Sequence, residues 1–114
     1  MIDQSVVDEL HDALGDELGE IFGEYLAQLF PQVQQIGEGL VQGDLERGRE
    51  EAHSLKGSSG NLGVMGVAEV AADIERACRE HNLDAARVRY QDLLSCAEAT
   101  VSALNAKGFF SANA

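Results

Sequence analysis

Residues 52–63 read Ala52-His53-Ser54-Leu55-Lys56-Gly57-Ser58-Ser59-Gly60-Asn61-Leu62-Gly63, and the rest of the chain is organised around them. As a helix running at least to Gly60, they place Ala52, Leu55, Ser59 and Leu62 at three- and four-residue steps, which makes one inward stripe. His53 then stands roughly 160–200° around the helix from Leu55, on the solvent side. Its ridge consists of Arg49, Lys56, Gly57 and Gly60. A glycine inside an exposed helical face costs about 1 kcal/mol relative to alanine. Two of them beside one histidine point to a need for access. Bare backbone lets another molecule reach the imidazole, and Lys56 sets positive charge one turn away. This combination suits a histidine that carries something anionic and is read by a docking partner.

The run His53-Ser54-Leu55-Lys56-Gly57-Ser58-Ser59-Gly60-Asn61-Leu62-Gly63 resembles the signature of the histidine-containing phosphotransfer (HPt) family, and the resemblance extends over most of the 114 residues. It implies His53 as the phosphoryl acceptor, on the second helix of an antiparallel four-helix bundle. The family often has leucine where Val67 stands and cysteine where Ala71 stands. Both are expected core positions, so these departures touch packing and leave the site alone.

A chain of 114 residues makes one domain, 1–114, able to bury roughly two-thirds of its unfolded surface around a single core. Cys78 and Cys96 form neither a disulfide framework nor a close-spaced metal pattern, as expected of a reduced, cytoplasmic protein. No apolar run approaches the roughly 20 residues that span a bilayer. The start, Met1-Ile2-Asp3-Gln4, lacks the basic and apolar regions of a signal peptide. The net charge of -12, from 20 acidic and 8 basic residues, argues against nucleic-acid and anionic-membrane partners. Locally, three of those basic residues (Arg49, Lys56 and Arg79) are expected near His53.

Hydrophobic spacing is helical nearly throughout. Asp3 or Ser5 caps a short first helix with Val6, Val7, Leu10, Ala13 and Leu14 on its apolar side. From Asp16 to about Gln42, Leu18, Phe22, Leu26, Leu29, Val33, Ile36 and Leu40 recur at helical steps, joined by Ile21, Tyr25, Phe30 and Val41. Pro31 interrupts this helix, and the continuous apolar register favours a kink over a break. The His53 helix follows from about Leu45 and ends at Gly60-Asn61-Leu62-Gly63. Another runs from about Val64 to His81, with Val67, Val70, Ala71, Ile74, Ala77 and Cys78 inward. His81-Asn82 closes it, with Asn82 suited to the left-handed conformation. The last runs from Leu83 to about Lys107, with Ala86, Tyr90, Leu93, Ala97, Val101 and Leu104 as its stripe. Gly108 ends it, and Phe109-Phe110 either dock back or fray. Short turns between helices predict an all-α, up-down-up-down four-helix bundle with the short first helix across one end.

A phosphocarrier imidazole must be neutral, with one nitrogen held so that the other can attack, positive charge nearby and open surroundings. Glu75 and Arg79, four apart, share a helix face with the small Ala68 and Ala72 and can lie against the His53 helix. Glu75 is therefore placed as acceptor of the Nδ1 proton, leaving Nε2 as nucleophile. The resemblance agrees, since Glu or Gln commonly holds the ring at this position. Arg79 adds charge beside Lys56, and Arg49, Gly57 and Gly60 belong to the partner-binding face. The plainer alternatives are a solvated lysine at Lys56 and a simple i,i+4 ion pair between Glu75 and Arg79.

His11 and His81 have no comparable neighbours. Cys78 and His81 lack the second pair that zinc needs, so no metal site is expected. The overlapping Gly57, Gly60, Gly63 and Gly66 repeats lack the strands of a KH domain, and Lys56-Gly57 is not the order of a nucleotide P-loop. The expected function is a stand-alone HPt protein that takes a phosphoryl group from a receiver-domain aspartate and passes it to another. Its partners would be response-regulator receivers and a hybrid sensor kinase, and it would act as a monomer. It would hold no cofactor, Mg²⁺ belonging to the receiver, and would have no ATP-dependent autokinase activity. The rival is a non-phosphorylated helical adaptor that binds or sequesters receivers. A weaker one is the phosphoacceptor portion of a sensor kinase, which would need an ATP-binding domain.

Overall fold

Local capping chemistry marks several of the described helix ends, among them the starts at Gln4, Leu45 and Leu83. The computed structural model describes residues 2–106, so the Gly108 stop and the Phe109-Phe110 tail lie outside the described residues. Within them the order is α1 (Gln4–Leu14), α2 (Glu17–Gln42), α3 (Leu45–Asn61), α4 (Met65–Arg79) and α5 (Leu83–Ala106). Asp3, and not Ser5, caps α1 by accepting from the Ser5 and Val6 amides. Asp44 caps α3 by accepting from the Arg47 amide. Gly43 closes α2 in the left-handed region at φ 72°. After α4 the left-handed residue is His81, at φ 58°, where Asn82 was expected. Asn82 instead caps α5, its Oδ1 accepting from the Ala85 amide at 3.1 Å. Helix α2 runs unbroken through Pro31, so the break considered from sequence does not occur.

Helix α2 packs against α3 and α5, and α4 packs against the same two, so the four long helices close a ring. Its centre is filled by Leu18, Phe22, Ile36, Leu55, Ile74 and Leu93, all fully buried. Helix α1 packs on α2. Its leading residues pin the α3–α4 turn, through an Ile2–Val64 bridge and an Asp3 amide bond to the Gly63 carbonyl. Gly63, at φ 78°, fits there because a Cβ would meet Val6 Cβ at 3.0 Å. Between α2 and α3, Tyr25 meets Ser59 and Glu38 meets Arg47. Between α2 and α5, the Val33 carbonyl accepts from Tyr90 and the Leu40 carbonyl from Arg87. Between α3 and α4, Gly48 approaches Cys78 while Lys56 meets Glu75.

The predicted stripes of α2 to α5 are mostly buried, whereas α1 buries Val7 alone of its five. Phe30 and Val41 face solvent, at 43% and 79% exposure, because they sit on the flanks of a stripe already filled by their neighbours. Ala13 is also exposed, and Val6, Leu10, Leu14, Ile21, Leu62, Tyr90 and Val101 are half-buried. Thr100, not anticipated, is buried with its hydroxyl donating to the Cys96 carbonyl at 2.8 Å. Ser59 is buried as predicted, 2.6 Å from the Tyr25 hydroxyl.

Burial pushes the Tyr25 phenol up to about 12 from 10.0, against a smaller lowering effect of the Ser59 hydrogen bond. A raised pKa gives stability that is complete below pH 10 and is lost as pH climbs towards 12. Urea unfolding should therefore show wild type losing about 3 kcal/mol more than Tyr25→Phe across that window. Equal losses would contradict the buried phenol.

Candidate functional site

Helix α3 sits between α2 and α4, and its outer ridge carries His53, Gly57 and Gly60. The His53 side chain is 64% exposed. Its Nδ1 lies 2.8 Å from Glu75 Oε2. Because an ionised carboxylate only accepts, Nδ1 carries the proton and donates, and in the neutral ring the free lone pair is then on Nε2. Glu75 itself is 6% exposed at the side chain, on the α4 face that packs on α3.

The same carboxylate gathers two cations. Lys56 Nζ lies 2.7 Å from Oε1 and Arg79 lies 3.4 Å from Oε2. Burial pushes the Glu75 carboxyl up, but hydrogen bonds from Lys56 and His53, and their charge, outweigh it and hold the pKa below 4.5. With the folded pKa lowered, the stability this cluster supplies is present above pH 4.5 and is lost as pH falls through the lowered value. Glu75 is therefore ionised at neutral pH, as the orientation of the ring requires.

The sequence-derived residues thus fall into two groups. His53, Lys56, Glu75 and Arg79 form one bonded cluster. Arg49 stands on the same flank but is engaged by Glu46, with Glu50 at 4.0 Å, and does not bond to the cluster. It lines a small cleft of about 250 Å³ together with Arg79, Cys78 and His81. Gly57 and Gly60 face open space, where a Cβ would meet nothing within 4 Å. No internal contact demands glycine at either position.

Two features escaped the sequence. Lys56 is held by Glu75, whereas helical spacing alone left it a free cation; the distance across α3 and α4 is a tertiary fact. The second is a cleft of about 540 Å³ between α2 and α3, with Tyr25, Leu29, Leu55 and Leu62 among its apolar lining and Glu24 and Glu51 among its polar residues. The Ser54 next to His53 also lines it. Among the described residues, no group of three or more His, Cys, Asp or Glu could hold a metal ion. No described helix is long and apolar enough to cross a membrane.

With this geometry established, the chain can be set beside known proteins. The Hpt domain family profile matches residues 20–106. The fold is similar to that of histidine-containing phosphotransfer protein B (HptB) from Pseudomonas aeruginosa PAO1, with a TM-score of 0.87. That likeness covers 95% of this chain and 93% of the other at 23% sequence identity, and it bears on the fold. No curated protein sequence matches.

The Glu75 contact predicts the ring's tautomer. At pH 8.5, ¹⁵N NMR of the imidazole should show His53 mainly as the Nδ1–H form, and Glu75→Leu should return it to the Nε2–H form that free histidine favours. A wild-type ring already in the Nε2–H form would contradict the hydrogen bond.

Proposed function

Because the chain belongs to the Hpt domain family, we propose that it accepts a phosphoryl group on His53 from a receiver-domain aspartate and relays it to another receiver aspartate. The observation that carries this reading is the division of labour on one ring: a buried carboxylate holds Nδ1 while the ring itself stands open to solvent. In the forward step the Nε2 lone pair attacks the phosphorus of the receiver's acyl phosphate. The N–P bond forms as the P–O bond breaks, and the aspartate leaves as a carboxylate. Nδ1 keeps its proton, so the phosphorylated ring carries positive charge, which the Glu75 carboxylate opposes at 2.8 Å. Attack by a second receiver's carboxylate reverses the bond changes and restores the neutral ring.

Lys56 and Arg79 lie within reach of the same carboxylate and favour the incoming phosphoryl oxygens. The open backbone at Gly57 and Gly60 supports close approach by a partner. In this reading the partners are receiver domains of response regulators and of a hybrid sensor kinase, and Mg²⁺ belongs to the receiver's acidic pocket. The chain acts as a cytoplasmic, monomeric phosphocarrier without a cofactor or autokinase activity of its own. We further read 1–114 as one domain, an antiparallel up-down-up-down bundle with α1 across one end. Residue pairs whose numbers rise on one helix as they fall on the next support this: 25 with 59 and 38 with 47 across α2 and α3, 33 with 90 and 40 with 87 across α2 and α5.

His53→Gln should abolish phosphoryl acceptance from a phosphorylated receiver while leaving helix content unchanged by circular dichroism. Wild type should carry an acid-labile, base-stable phosphate. Transfer retained by the variant would refute the assignment, and binding of receivers without any label would favour the adaptor.

A further inference from the structure

The surface around His53 is divided by charge. On α3, the ridge of His53, Gly57 and Gly60 separates two flanks of the helix. The flank towards α4 holds Lys56, and Arg79 joins it through Glu75. The flank towards α2 holds Glu51, Ser54 and Ser58, which line the α2–α3 cleft opposite Glu24. No Lys or Arg lines that cleft; Arg47, on the same flank of α3, bonds to Gln35 at its edge and is paired with Glu38. The bias extends well beyond it, since residues 1–46 contain eleven Asp and Glu and no Lys or Arg.

The pairing of charges sharpens the division. Lys56 and Arg79 already share a buried carboxylate, whereas Glu24 and Glu51 have no ion-pair or hydrogen-bond partner among the described residues. Two unpaired carboxylates beside an apolar lining form a site that accepts an apolar side chain and selects the charge that accompanies it. Complementary rim charges act mainly on encounter rate and on rejection of wrong partners, and they weaken with salt.

We infer that the α2–α3 cleft is a charge filter for the receiver, seating an apolar side chain flanked by Lys or Arg that face Glu24 and Glu51. With the Lys56–Arg79 flank turned to the receiver's acidic pocket, the two opposite flanks fix the partner's rotation about His53. The inference rests on the phosphotransfer reading and adds to it which receivers are accepted.

The test uses the full chain and a panel of receiver domains charged with acetyl phosphate, one set with basic and one with acidic side chains flanking the apolar contact beside the acceptor aspartate. Wild type should be labelled on His53 at least about tenfold faster by the basic set at low salt, with the gap narrowing at high salt. Glu24→Lys with Glu51→Lys should reverse that preference by raising the half-saturating receiver concentration, with the saturated rate unchanged. Glu69→Lys with Glu98→Lys, at exposed positions and with the same change in net charge, should leave the preference as in wild type. Identical preferences in all three proteins overturn the filter and leave phosphotransfer standing. A wild type labelled by no receiver overturns both. A concentration-dependent dimer abolished by the Glu24/Glu51 pair of changes assigns the cleft to a second copy and also overturns the filter.

Discussion

A buried carboxylate is costly unless charge and hydrogen bonds compensate it, and Glu75 is the point where this fold meets that cost. It is 6% exposed, yet its two oxygens engage His53, Lys56 and Arg79. Removing any one partner leaves the others to hold the charge, but removing the carboxylate strands two cations and frees the ring. The packing of α4 on α3 is therefore a positioning device as well as a core. Small residues permit it: Ala68 is buried on the contact side, and Gly48 brings α3 to where a Cβ would lie 3.1 Å from Cys78 Sγ.

Helix α3 has little apolar surface of its own; Gly48, Ala52, Leu55 and Ser59 are its buried residues. Its stability must come from its neighbours. Helix α2 supplies a long apolar face and the Tyr25–Ser59 hydrogen bond, while α1 fastens the turn that follows α3. This distribution leaves the outer ridge of α3 free of structural duty. The glycines there are dear to the helix, and no internal contact demands them at Gly57 or Gly60.

Much of this was legible in the sequence because the relevant distances lie within single helices. The inward stripes, the exposure of His53 and the openness at Gly57 and Gly60 follow from helical spacing. Glu75 could be proposed as the ring's partner because small residues on its face allow a close crossing, and its Oε2 lies 2.8 Å from His53 Nδ1. Three things were not legible. Phe30 and Val41 have the residue type of a core but sit at its margin, a matter of a few tens of degrees. The left-handed residue after α4 is His81, because Asn82 has a stronger use as the cap of α5. Lys56 and the α2–α3 cleft depend on how separate helices meet, which spacing along one chain does not encode.

The family match and the similarity of fold place the chain among proteins that share this architecture. Within it, the chemistry depends on which ring nitrogen is free. The most direct measurement is ³¹P–¹⁵N NMR of the phosphorylated, ¹⁵N-histidine-labelled protein. Phosphorus coupled to Nε2 of His53 is the expected result. Phosphorus on Nδ1, or on His11 or His81, would contradict the role given to the Glu75 carboxylate.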